Sequence, residues 1–258
     1  MALLTVKDLT KNFGGLCANS NINMVIEEHE LIGLIGPNGA GKTTLFNMLT
    51  GVYEPSEGSI KFEVNGKEVE IGGMKPYKVT KLGIARTFQN IRLFKTRSVL
   101  ENVMVAMHKD VKYNLLDAIF RTPKYFKEEE KMEKEALELL AILNLDGKKD
   151  ELASNLPYGE QRRLEIARAL ATHPRLLFLD EPAAGMNPQE TADLTELIRF
   201  IKDKFDISVI LIEHDMSLVM NLCERIYVLD YGKLIANGTP EEIAKNKFVI
   251  EAYLGEEV

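Results

Sequence analysis

One nonapeptide constrains this chain more than any other feature: Gly36-Pro37-Asn38-Gly39-Ala40-Gly41-Lys42-Thr43-Thr44. It follows the apolar run Leu31-Ile32-Gly33-Leu34-Ile35 and precedes Leu45-Phe46-Asn47-Met48-Leu49, which reads as a helix. A strand, a glycine-rich loop ending in Lys-Thr and a helix form the context in which this pattern cradles a polyphosphate. Glycines let the backbone wrap phosphate oxygens with its N–H groups, and the helix start adds positive partial charge. Asn38, Gly39, Gly41, Lys42, Thr43 and Thr44 are the candidate contacts. Lys42 can reach the β- and γ-phosphates, and the Thr43 hydroxyl is placed to bind Mg²⁺.

The remainder of the chain sets the frame for that loop. With 258 residues, 45% of them apolar, it can bury a sizeable core, as one large domain or a core with a subdomain. A formal charge of −7 argues against a general nucleic-acid footprint. Cys17 and Cys223 lack metal or redox spacing and read as buried apolar residues in a reducing compartment. The histidines at 29, 108, 173 and 214 form no metal-ligand pattern. The opening residues Met1–Asp8 have no signal-peptide architecture, and no apolar run approaches the ~18 residues that span a bilayer. The expectation is a cytosolic chain whose membrane role, if it has one, comes through a partner.

Taken in order, Leu3–Val6 and Ala18–Ile26 alternate as half-buried strands do, with a turn at Lys11–Gly15 between them. Glu30–Ile35 is a fully apolar strand, and 59–64 with 67–71 read as a hairpin around Asn65-Gly66. Gly83–Phe88 is a short strand ending at Gln89. Ser98-Val99-Leu100-Glu101 is a capping-box pattern, and Phe126–Leu145 is a long amphipathic helix whose Lys127–Lys131 stretch reads as a solvated face. After it, strands at 175–179, 208–212 and 225–229 alternate with helices at 159–172, 188–204 and 216–223. The fold expected is α/β, with a mainly parallel sheet, an antiparallel β-subdomain and a helical insertion at 96–158. The core would then be residues 1–95 and 159–258 of a single domain.

A phosphate loop alone does not separate kinases, GTPases and ATPase motors. The discriminating stretch is the apolar strand Leu176–Leu179 running into Asp180-Glu181. A carboxylate there can hold Mg²⁺ opposite Thr43, and a second one, where the chain leaves the sheet, can polarise an attacking water. The GTPase reading fails because Asn246-Lys247-Phe248-Val249 lacks the acid of a base-reading motif.

The loop at 36–44, Gln89 after a strand, Leu156-Pro157-Tyr158-Gly159-Glu160-Gln161, Asp180-Glu181-Pro182 and Ile212-Glu213-His214-Asp215 stand in the order found in ABC-transporter ATPase subunits. The chain resembles that family over essentially its whole length, and within it the branched-chain amino-acid importer ATPases of the LivG type. Leu156–Leu170, Asp180–Pro188 and the ending Ile250–Glu256 carry the finer likeness. The resemblance implies a P-loop NTPase (RecA-like) fold, bound ATP and Mg²⁺, and hydrolysis coupled to transport. It makes Phe13 the aromatic that stacks on adenine, Gln89 a contact to Mg²⁺ and the attacking water, Glu181 the catalytic base and His214 the partner of the γ-phosphate. It implies that Tyr158, Gly159 and Glu160, at the start of a helix, grip the γ-phosphate bound by a second ATPase subunit, head to tail, in a homo- or heterodimer.

Further partners implied are transmembrane permease subunits and, indirectly, a substrate-binding protein, with the chain peripheral on the cytoplasmic face of the cell membrane and no nucleic acid bound. Ile91-Arg92-Leu93-Phe94 with the start of the next helix is the candidate docking groove. Two departures stand out. Pro157 occupies a usual serine position and removes a hydroxyl and a backbone donor, and Asn187 replaces a usual aspartate. Lipopolysaccharide-export and urea-type ATPases share the same build. A soluble ABC protein acting on DNA or ribosomes fits less well, since the interval from Gln89 to Leu156 is too short for a coiled coil and only one ATPase unit is present.

Overall fold

The computed structural model of the chain describes residues 2–254, so the Gly255-Glu256 end of the last motif lies outside it. The chain opens with strands β1 (Ala2–Phe13), β2 (Leu16–Glu27) and β3 (Leu31–Ile35), followed by helix α1 (Lys42–Leu49). Strands β4 (Glu57–Val64) and β5 (Lys67–Glu70), helix α2 (Pro76–Lys81) and strand β6 (Ile84–Arg86) come next. Four helices then run in succession: α3 (Val99–Met107), α4 (Leu115–Phe120), α5 (Pro123–Ile142) and α6 (Tyr158–Leu170). The last third alternates: β7 (Leu176–Asp180), α7 (Pro188–Phe205), β8 (Ser208–Ile212), α8 (Met216–Leu222), β9 (Arg225–Asp230) and β10 (Lys233–Gly238). Helices α9 (Pro240–Ala244) and α10 (Lys247–Leu254) complete it.

The residues fall into two compact units, Met1–Arg86 with Arg175–Val258, and Thr87–Pro174. The first holds both sheets. One is antiparallel, in the order β2-β1-β4-β5; the other runs β10-β9-β3-β8-β7-β6. In the second sheet β9, β3, β8, β7 and β6 are parallel and β10 pairs back antiparallel. Strands β3, β7 and β8 are buried at every position, which is why they read as unbroken apolar runs rather than alternations. Because they are parallel neighbours, their carboxyl ends share one edge, where ligands bind in open α/β sheets. Phe46 of α1 meets Phe178 of β7 edge to face, ring centres 5.0 Å apart, inside the core that joins the two sheets.

Several boundaries differ from the sequence reading for physical reasons. β1 runs on to Phe13, past the turn expected at Lys11–Gly15, because Asp8 (φ +49°) and register shifts against β2 bend the strand without ending it. The turn shrinks to Gly14-Gly15. α5 begins at Pro123, three residues before Phe126, since Thr122 caps it and proline suits the first turn. Cys223 is buried, as expected, but Cys17 is exposed near the protruding end of the β1–β2 hairpin. Helices α2, α4, α9 and α10 and strand β10 are short or end-capped by local signals and were not read from periodicity.

The second unit contains the whole 96–158 span together with α6. Ser98 and Glu101 form the expected capping box at the start of α3.

Candidate functional site

The phosphate loop leaves β3 at Gly36, where a Cβ would lie 1.9 Å from the Leu229 carbonyl of β9. Only glycine permits that approach. Gly41 (φ +98°) caps α1, and no side chain bonds to the helix start. The first-turn N–H groups of α1 have no carbonyl within the helix to serve. Lys42 is buried, and its Nζ folds back on the Gly36 and Pro37 carbonyls at 2.7 and 2.9 Å. Burial lowers the Lys42 pKa, and the negative charge of Glu181 opposes that. Asn38, Gly39 and Thr43 are exposed and Thr44 half-buried, so the rim of the loop faces solvent. A cradle of carbonyl-held ammonium, glycine backbone and uncapped helix start fits a nucleotide phosphate.

The carboxylates come from the next strands. Asp180 lies opposite Ile212 in the β7–β8 pairing. Its Oδ2 accepts a bond from Arg86 Nη2 at 2.9 Å, both side chains being buried. Arg86 Nη1 also donates to Asn47 Oδ1 and Thr50 Oγ1 of the α1 region, at 2.8 and 2.9 Å. Sequence reading missed Arg86, whose partners lie far along the chain. Glu181 sits in the left-handed region (φ +46°), uncommon for a residue with a side chain. Its N–H donates to the Ile212 carbonyl at 3.0 Å, and its Oε1 lies 3.0 Å from His214 Nε2. The expected base and the expected histidine are therefore brought into contact.

Glu213, quoted in a motif but given no role, is buried. Its carboxylate accepts from the N–H groups of Ala183 (2.7 Å) and His214 (3.2 Å), tying the loop after β7 to the loop after β8. Burial raises its pKa. Phe13 is half-exposed at the end of β1, with the Tyr53 ring edge-on at 5.4 Å and Lys11 Nζ 5.0 Å from its centre.

In the second unit, α6 starts at Tyr158 rather than Gly159, with Pro157 as its cap residue and no side-chain cap. The N–H groups of Tyr158, Gly159 and Glu160 are thus its first turn. Arg162, one turn on, is fully buried. Its guanidinium donates to the Phe88 and Gln89 carbonyls, to Glu165 and to the Tyr158 hydroxyl, at 2.7 to 2.9 Å. Glu165 accepts from the N–H groups of Phe88 and Arg92, and Arg168 donates to the Arg92 carbonyl and stacks on Phe94. The segment from Gln89 to Phe94 is therefore bolted to α6. Asn187 caps α7 through a capping box with Glu190, a task its amide performs without a charge.

Among the described residues there is no group of three or more His, Cys, Asp or Glu that could hold a metal. One carboxylate, one hydroxyl and phosphate oxygens are the donor set Mg²⁺ accepts.

The ABC transporter family profile matches residues 19–184, from β2 past the carboxylates. The chain belongs to the ABC transporter family. A second profile, that of the branched-chain amino acid ATP-binding cassette transporter, matches 233–258 of this ABC chain. The high-affinity branched-chain amino acid transport ATP-binding protein BraF of Pseudomonas aeruginosa is 46% identical over 254 residues, 98% of each chain. The corresponding LivG of Escherichia coli is 45% identical over the same shares. The crystal structure of an ATP-binding cassette of an ABC transporter in its ADP conformation superposes with a TM-score of 0.84 at 32% identity. It covers 99% of this chain and 100% of that one. The fold is that of the P-loop cassettes, and nucleotide binding belongs to the family. Among the described residues no helix is long and apolar enough to cross a membrane.

Proposed function

We propose that this ABC cassette hydrolyses ATP to drive import of branched-chain amino acids through permease partners. The observation that carries the chemistry is the Glu181–His214 contact of 3.0 Å beside the buried Asp180. Lys42 and the α1 start hold the β- and γ-phosphates, with Asn38, Gly39, Gly41 and Thr44 lining the loop, and Phe13 offers its face to adenine. Thr43 and Asp180 would hold Mg²⁺, which neutralises phosphate charge when bound. Glu181 takes the proton of a water that attacks the γ-phosphorus; the bond to the ADP oxygen breaks as the new P–O bond forms. His214 positions Glu181 and donates to the γ-phosphate, and Glu213 keeps both on their loops.

Tyr158, Gly159 and Glu160 present a second set of donors for the γ-phosphate held by a partner ATPase subunit, like or unlike, across a head-to-tail dimer. The Arg162, Glu165 and Arg168 bonds would carry any movement of α6 to the segment Ile91–Phe94, the proposed permease dock. In this reading the chain sits peripherally on the cytoplasmic face of the membrane, held there by the permease subunits. The match of the C-terminal residues and the relatives' names favour branched-chain amino acids over lipopolysaccharide or urea as the cargo class. Glu181→Gln is the test. Steady-state hydrolysis should fall by about 10²- to 10⁴-fold while ATP-dependent dimerisation persists. Undiminished turnover would refute the assignment of the base.

A further inference from the structure

The helix α4 buries none of its six residues. Leu115 is 75% exposed, Leu116 63%, Ile119 63% and Phe120 74%, with Phe126 of α5 beside them in sequence and 56% exposed. Isolated apolar residues on a surface need no explanation, but a contiguous set of large ones does. Nor is α4 a frayed end. Asn114 and Asp117 close a capping box on it, and Arg121 (φ +47°) reverses the chain into α5. Thr122 Oγ1 donates to Asp117 at 2.9 Å. Behind it, Tyr113 packs edge-on against Tyr125 at 5.1 Å and donates to Glu129 at 2.8 Å. The knuckle is therefore built, and built to hold its apolar side chains outward.

Charge and shape together indicate what covers it. From Lys112 to Lys127 the chain carries four basic residues (Lys112, Arg121, Lys124 and Lys127) against one acid, flanked by Asp110 before and Glu128-Glu129-Glu130 after. That acid, Asp117, accepts from the Asn114 N–H and the Thr122 hydroxyl and lies 3.9 Å from Lys124 Nζ, which leaves Lys112, Arg121 and Lys127 for the headgroups. All four basic residues are exposed. On a six-residue helix these four side chains fall at i, i+1, i+4 and i+5 and so project from one face. An anionic lipid surface takes such a shape readily, with leucine, isoleucine and phenylalanine in the acyl boundary and Lys/Arg at the headgroups.

We propose that the α4 knuckle is a membrane-contact element that inserts Leu115, Leu116, Ile119 and Phe120 into the headgroup–acyl boundary of an anionic bilayer. It is independent of nucleotide chemistry, so it stands or falls apart from the ATPase reading.

The chain contains no tryptophan, so Phe120→Trp places a single fluorescent reporter on the knuckle without removing its apolar character. Mixed with vesicles of phosphatidylglycerol and phosphatidylcholine, the full-length F120W protein should show a blue shift and quenching by brominated acyl chains. Pure phosphatidylcholine vesicles should give neither. In flotation assays L116E/F120E should partition at least tenfold less than the unaltered chain, and R121Q/K127Q several-fold less, on anionic vesicles only. Nucleotide affinity should be unchanged in all three, since α4 contributes no buried side chain. Three results would each overturn the proposal. The reporter could stay in water while the protein floats, or L116E/F120E could float as well as the parent. Sedimentation could instead show the parent self-associating through a face whose loss in L116E/F120E yields monomer, which assigns the knuckle to a second copy. If L116E/F120E misfolds, L116S/I119S gives the same readout with a milder change.

Discussion

Two helices of this chain, α1 and α6, begin at glycine-bearing turns with no side-chain cap, and they are completed in different ways. Apart from α2, which opens on Pro76 without a side-chain cap, Ser98, Asn114, Thr122, Asn187, Asp215 and Thr239 each accept a backbone N–H at the start of α3, α4, α5, α7, α8 and α9. At α1 the open start is joined by Lys42, whose ammonium is already folded into the loop. At α6 the start brings its own carboxylate, Glu160, held by Lys148 at 2.6 and 2.8 Å, and Pro157 removes one donor. The Tyr158 hydroxyl is turned back onto Arg162. On the function proposed above, the first start would grip an anion by itself, and the second would be at most half a site, completed by an anion bound on the partner.

The sharpest way to break this contrast is to loosen α6 itself. Arg162→Met removes a fully buried guanidinium and strands Glu165, so stability should drop by about 3–5 kcal/mol in urea unfolding. An unchanged midpoint would mean that the network does not hold α6. Lys42→Ala should weaken ATP binding about a hundredfold, read by titration calorimetry, because it deletes a charge-assisted contact to phosphate. Retained affinity would show that the glycine loop and helix start suffice, and α1 would then resemble α6. Pro157→Ser adds a hydroxyl and a donor at the weaker start. We expect it to tighten ATP-dependent pairing about fivefold in analytical ultracentrifugation, on a Glu181→Gln background that keeps ATP intact. Lys148→Met should do least: its partner is part-exposed, so stability should change by less than about 1 kcal/mol. Pairing should weaken slightly as the Glu160 charge is uncovered.

The sequence disclosed what is contiguous. The phosphate loop, the capping box at Ser98, the buried runs of β3, β7 and β8 and the Asp180-Glu181 step each lie within a few residues, where spacing and physical chemistry act together. The bonds that join such pieces were not legible. Arg86 looks like any strand-end arginine until β6 is paired with β7 and Asp180 comes within 2.9 Å. Arg162 and Glu165 look like an exposed helical charge pair at i,i+3 until the Phe88 and Gln89 backbone is laid over them. Glu213 was visible as a motif letter, but its purpose is a bond to the Ala183 N–H on another loop. α4 escaped notice because a six-residue helix with its apolar side chains outside has no core-facing stripe to detect.

The loop at Gly36 rests on the far end of the chain. The Leu229 carbonyl fills the space where a side chain at 36 would go, and the Gly232 N–H bonds to the Ala40 carbonyl while its own carbonyl accepts from Ser20. The loop that opens the first third of the chain thus takes its full set of backbone supports only when residues 229–232 are in place.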